Sequence, residues 1–120
     1  LLVEDDAMVR MTVRHYLEAS GHLVLEAADV RHAMELVDDE GTSIDALVTD
    51  MVMPGMSGPE LARYVSARVA ELRVVFMSAH PVTALARAGR LEPGLPVLEK
   101  PFDAGALDRA LTEARRLGAS

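Results

Sequence analysis

Acidic, hydroxyl and basic side chains stand at the ends of short apolar runs in this chain, and that placement points to chemistry. Glu4-Asp5-Asp6 follows Leu1-Leu2-Val3, and Asp50 follows Ala46-Leu47-Val48-Thr49. Ser78 follows Val74-Val75-Phe76-Met77, and Lys100 follows Val97-Leu98-Glu99. In an open α/β sheet, ligands bind outside the carboxyl ends of the strands, near the point where strand order reverses. If these four runs are neighbouring strands, carboxylates, a hydroxyl and an ammonium converge on one pocket. Carboxylates packed together repel and raise one another's pKa unless a cation neutralises them. Mg²⁺ suits such a site, because it prefers oxygen ligands and commonly joins one or two carboxylates to a phosphate. The pocket therefore asks for Mg²⁺ and a phosphoryl group together. Lys100 adds weight, since the other basic residues are eleven Arg and a compact ammonium is a different tool from a guanidinium.

The elements that must position these groups alternate along the chain. Leu1-Leu2-Val3 reads as a buried strand, followed by a helix from about Ala7 to Ser20 with Val9, Val13, Tyr16 and Leu17 on one face and Gly21 as its stop. Leu23-Val24-Leu25 reads as a second strand. Asp29 caps a helix with Val30, Ala33, Met34 and Val37 at i, i+3, i+4 and i+7 spacing, ended by Gly41. After the third strand and the loop from Met51 to Met56, Ser57 and Glu60 form a capping pair, with Met56 and Leu61 placed as a hydrophobic staple. The fourth strand leads to a short helix around Thr83 to Ala88, because Gly89, Pro93, Gly94 and Pro96 crowd the stretch after it. The fifth strand ends on Lys100-Pro101, and Asp103 caps a last helix carrying Leu107, Leu111 and Ala114. Five strands alternating with five helices predict an α/β fold, a doubly wound parallel sheet covered on both faces.

Composition sets the bounds. The 120 residues suit one domain, 1–120, without repeat or linker. The opening apolar run is short for a strand, so the chain is expected to be a fragment of a longer one. Half of the residues are apolar and aromatics are scarce, so Leu, Val, Ala and Met must build the core. A net charge of -7 with no basic run argues against direct nucleic-acid binding, because neutralised phosphates supply much of such affinity. The chain has no cysteine, which excludes disulfides and thiolate metal sites. Neither a membrane span nor a signal peptide is legible, which makes a cytoplasmic location the expectation.

The blocks Leu1-Leu2-Val3-Glu4-Asp5-Asp6, Val48-Thr49-Asp50-Met51-Val52-Met53-Pro54-Gly55-Met56-Ser57-Gly58, Met77-Ser78-Ala79 and Lys100-Pro101-Phe102 resemble the signature of response-regulator receiver domains, in order and across the whole chain. The Met-Pro-Gly-Met-Ser-Gly stretch and the segment from Arg90 to Phe102 resemble receivers of hybrid histidine kinases in particular. The resemblance implies a flavodoxin-like sheet of order 2-1-3-4-5. It implies Asp50 as the acceptor of a phosphoryl group from the phospho-histidine of a histidine kinase or a histidine phosphotransfer domain. Mg²⁺ would be held by Asp5 and Asp50, by Glu4 mainly through water, and by the backbone carbonyl of Val52. Lys100 and Ser78 would contact phosphoryl oxygens, and the Lys100-Pro101 bond would be cis. Such a domain would catalyse its own aspartyl phosphorylation and dephosphorylation, and could form a homodimer.

Plainer roles compete at several positions. Asp6 reads as the N-cap of the first helix, and Met51, Met53 and Met56 as packing beneath their loop. His15, His22 and His32 read as surface residues, whereas His80 lies two positions after Ser78 and within reach of the pocket. Receivers usually carry Tyr or Phe three residues before the pocket Lys, and here that position is Val97. Three rival functions share parts of this pattern. A degenerate receiver would serve as a docking module without accepting phosphate. A flavin-binding module of the same topology would need a phosphate loop after the first strand, where Glu4-Asp5-Asp6 would repel the flavin phosphate. An aspartate-nucleophile hydrolase would place its nucleophile after the first strand with a second Asp two residues on, and Val52 stands where that second Asp would follow Asp50.

Overall fold

A computed structural model describes residues 1–40, 43–89, 96–114 and 116–117. The elements run β1 (Leu2–Val3), α1 (Ala7–Ala19), β2 (Glu26–Ala27), α2 (Val30–Glu40), β3 (Ala46–Asp50), α3 (Gly58–Ser66), β4 (Leu72–Ser78), α4 (Val82–Arg87), β5 (Val97–Glu99), α5 (Ala104–Glu113) and β6 (Arg116–Leu117). The parallel strands lie in the order β2-β1-β3-β4-β5, as expected. The chain winds from β1 to one side and returns to the other at β3, so the crevice between these two strands is the switch point.

Alternating side chains in the strands feed two cores. Val3, Leu47, Val74 and Phe76 point to the face covered by α2 and α3, where Val30, Ala33, Val37, Leu61 and Val65 are buried. Leu2, Val48, Val75 and Met77 point to the other face, with Val13 and Leu17 of α1 and Leu107, Ala110 and Leu111 of α5. Helix starts follow their caps. The carboxylate of Asp6 accepts from the N–H groups of Met8 and Val9, Ser57 Oγ accepts from Glu60 N–H, and Asp103 accepts from Ala106 N–H. Gly21, at φ 91°, carries the chain out of α1 in the left-handed conformation that a side chain would strain. Met56 and Leu61 pack in the same core, as the staple requires.

One expectation is corrected. The second strand is Glu26–Ala27, not Leu23-Val24-Leu25. Leu23 is 100% exposed, and only the carbonyl of Leu25 joins the sheet, accepting from Leu2 N–H. The pairing is drawn toward Glu26 because Arg10 and Arg14 of α1 bind its carboxylate. The five parallel strands stand as expected, and among the described residues a short sixth strand, β6, joins them antiparallel to the first residues of β4. It covers the stretch of that edge that β5, which starts opposite Phe76, leaves open. The expected stop at Gly41, and Pro93 and Gly94 of the segment after the fourth helix, lie outside the described residues.

Candidate functional site

Strand register brings the predicted residues together. Leu2 and Val3 pair with Val48 and Thr49, which sets Glu4 beside Asp50 at the carboxyl end of the sheet. Asp50 in turn pairs with Met77, so Ser78 lies one step beyond it on β4. Lys100 N–H donates to the carbonyl of Ser78 at 2.7 Å, which fixes the lysine at the end of β5. The Lys100-Pro101 peptide is cis, as the resemblance implied.

Carboxylate oxygens of Glu4, Asp5 and Asp50 lie within 4.8 Å of one another. Glu4 is 0% exposed, Asp50 is half-buried and Asp5 is open to solvent. The ammonium of Lys100 pairs closely with Glu4 Oε1 and lies 3.3 Å from Asp50 Oδ2. Burial pushes the pKa of Glu4 above its ordinary 4.5, and a hydrogen bond with Asp5 and the charge of Asp50 push the same way against the pull of Lys100. Lys100 is also desolvated, but its hydrogen bonds to Glu4 and Asp50 and their negative charges outweigh that burial and hold its pKa above the ordinary 10.5. Three carboxylates against one ammonium leave the ionised pocket with an excess of negative charge. Their oxygens and that charge fit a hard divalent cation.

Ser78 is buried, and its Oγ accepts the N–H of His80 at 2.9 Å, leaving its own hydroxyl hydrogen to donate into the pocket. Val52 is 50% exposed on the loop after Asp50. His15, His22 and His32 are exposed, and Met51 and Met53 are buried under the loop, as the sequence led us to expect; His80, read as within reach of the pocket, is exposed too. Val97 is half-buried and packs against the core of Phe76.

Two contributors were not legible beforehand. Gly58 packs its backbone onto the end of β3, and a Cβ there would sit 2.4 Å from the carbonyl oxygen of Asp50. Arg10 donates from Nη1 to the carbonyl of Glu4 at 2.8 Å. The glycine lies inside a signature block whose pattern does not show why a side chain is excluded, whereas an Arg on a helix gives no sign of reaching a strand end.

A doubly wound sheet with an acidic crevice and a lysine at its switch point defines a class of phosphoryl-handling α/β domains. Within it, residues 1–112 match the family model described as the response regulator receiver domain, and the chain belongs to that family. It is 36% identical over 102 residues to the sensor kinase CckA of Brucella abortus (strain 2308), covering 85% of this chain and 11% of that protein. Against the response regulator receiver protein CpdR of the same organism it is 34% identical over 102 residues, covering 85% of this chain and 83% of that one. A solved receiver domain from the hybrid histidine kinase CckA superposes with a TM-score of 0.76 at 31% identity, covering 95% of this chain and 96% of that chain. The chain thus spans about a tenth of one curated relative and most of another. It is a receiver domain of two-component signalling, and the degenerate alternative finds no support, since Glu4, Asp5, Asp50, Ser78 and Lys100 all occupy the pocket.

Proposed function

We propose that this receiver takes a phosphoryl group from the phospho-histidine of a histidine kinase or phosphotransfer domain onto Asp50. The observation that carries the reading is Asp50 itself, half-buried at the switch point with Lys100 at 3.3 Å and two further carboxylates beside it. A carboxylate oxygen of Asp50 attacks phosphorus, the P–N bond breaks, and the imidazole leaves with that electron pair. Such a transfer needs little covalent help and much positioning and charge stabilisation. Lys100 donates to one phosphoryl oxygen and to the Asp50 carboxylate, and the Ser78 hydroxyl donates to another. Asp5 and Asp50 would hold Mg²⁺ directly, with Glu4 acting through water and the Val52 carbonyl completing the protein ligands. That ion supplies positive charge to the phosphoryl oxygens and relieves the repulsion among the carboxylates.

The donor must approach over the mouth of this pocket. Met8 is 70% exposed in the first turn of α1 and shares a groove with Lys100, Pro101 and Phe102. Met11, one turn on, is exposed as well. This apolar strip suits a partner helix that presents its phospho-histidine to Asp50. The likeness to CckA supports a place within a hybrid histidine kinase, and no helix among the described residues is long and apolar enough to cross a membrane. Incubation with acetyl phosphate tests the central reading. One phosphoryl group per chain is expected in Mg²⁺ and none after chelation with EDTA, and uptake undiminished by EDTA would overturn it.

A further inference from the structure

We propose that Arg10 is a positioning residue for the acidic pocket, acting through the backbone of Glu4 rather than by touching any reacting group; this rests on the Mg²⁺-dependent reading above. Arg10 lies in α1, six residues after Glu4, and is mostly buried. Its Nη1 donates to the Glu4 carbonyl at 2.8 Å while its Nε donates to Glu26 Oε1 at 3.3 Å. Arg14, one turn further along α1, binds the other oxygen of Glu26 at 2.7 Å.

Every polar group of Glu4 is thereby fixed. Its N–H donates to the carbonyl of Ala27, its carbonyl accepts from Arg10, and its carboxylate takes Lys100 and the N–H of Asp6. The carbonyl of Glu4 belongs to the rigid peptide plane that carries the N–H of Asp5. Holding that oxygen therefore sets the orientation of the plane from which the exposed Asp5 carboxylate projects. Asp5 is the proposed direct ligand with the least packing of its own, so the ligand geometry depends on the plane behind it. Only a forked guanidinium reaches both the carbonyl and Glu26; an ammonium at that position would serve one of them.

The inference separates from simple electrostatics by its sign. Arg10 is a cation near a cation site, so loss of its charge alone would strengthen Mg²⁺ binding. If Arg10 positions Asp5, its loss must weaken that binding. Mg²⁺ titrations of the whole domain should show Arg10→Ala binding about tenfold more weakly than the parent, the scale typical of groups that orient metal ligands. Arg10→Lys, which retains the charge, should be weakened in the same direction. Arg14→Ala removes equal charge and also breaks a pair with Glu26, but it leaves the Glu4 carbonyl bonded and should stay within about twofold of the parent. In the metal-free protein, amide hydrogen exchange at Asp6, whose N–H donates to Glu4 Oε2, should accelerate in Arg10→Ala and not in Arg14→Ala. Unchanged or tighter Mg²⁺ binding by Arg10→Ala, or an equal loss in Arg14→Ala, would overturn the inference. If the parent itself binds no Mg²⁺, the metal-dependent reading fails, and the metal-free exchange decides the positioning role alone: equal rates at Asp6 in parent and Arg10→Ala refute it.

Discussion

At the scale of single residues, the pocket works by crowding charge and then balancing it. Glu4 is buried with its pKa raised, first by burial and then by Asp5 and Asp50. Between its ordinary 4.5 and that higher value, the folded protein binds more protons at Glu4 than the unfolded chain does. Stability of the metal-free domain should therefore fall as pH rises through this window. Lys100 does not offset the slope there, because its raised pKa gives stability that is fully present below 10.5 and lost only above it. Urea midpoints of the metal-free protein, followed as pH rises from Glu4's ordinary 4.5, should fall more steeply in the parent than in Glu4→Gln. An equal slope in both would remove Glu4 as its source. Val52 carries a second prediction. Hydrolysis of an aspartyl phosphate needs an oriented water, and this exposed apolar side chain offers it no hydrogen bond. Val52→Asn adds one, worth about 1 kcal/mol or roughly fivefold in rate. Decay of the phosphorylated protein after donor removal should quicken accordingly, and an unchanged decay would show that this position does not set the lifetime.

At the scale of elements, the site depends on how closely α3 approaches β3. Gly58 N–H donates to the Met51 carbonyl at 2.8 Å, and a Cβ on Gly58 would lie 2.4 Å from the Asp50 oxygen and 2.9 Å from Met51 Cα. Neither neighbour is a flexible side-chain end, so Gly58→Ala must push the helix from the strand. A loss of about 1–3 kcal/mol in stability is expected, together with slower phosphorylation because Asp50 moves with its backbone. Denaturant titration and acetyl phosphate kinetics check both, and full stability with full rate would contradict the close contact. Most of these elements were legible in the sequence, because Asp6, Ser57 and Asp103 cap their helices and the apolar runs of the third, fourth and fifth strands end on the functional residues. The second strand was misplaced for a physical reason: an edge strand of two residues has too little pattern to outweigh an apolar run. Its position is settled by the ion pairs of Glu26 with Arg10 and Arg14, which are contacts between elements and invisible to periodicity. The pairing of β6 with β4 is equally non-local, with Leu117 opposite Leu72.

At the scale of the whole molecule, the order β2-β1-β3-β4-β5 puts the switch point where the acids are, and so joins fold to function. That order came from the family resemblance, while the convergence of Glu4, Asp5, Asp50, Ser78 and Lys100 came from their shared position at strand ends. The molecule must also admit a donor, and the docking role proposed for the exposed Met8 and Met11 can be tested apart from the chemistry. Converting both to Glu should slow transfer from a phospho-histidine partner, while acetyl phosphate, too small to need the strip, should react at the parent rate. Equal slowing with both donors would place these residues in the chemistry instead. The central claim remains that Asp50 is the acceptor, and intact-mass spectrometry of Asp50→Asn beside the parent, each after treatment with acetyl phosphate and Mg²⁺, tests it most directly. The parent should gain one phosphoryl group and the variant none; a variant labelled as fully as the parent would show that another group accepts the phosphate.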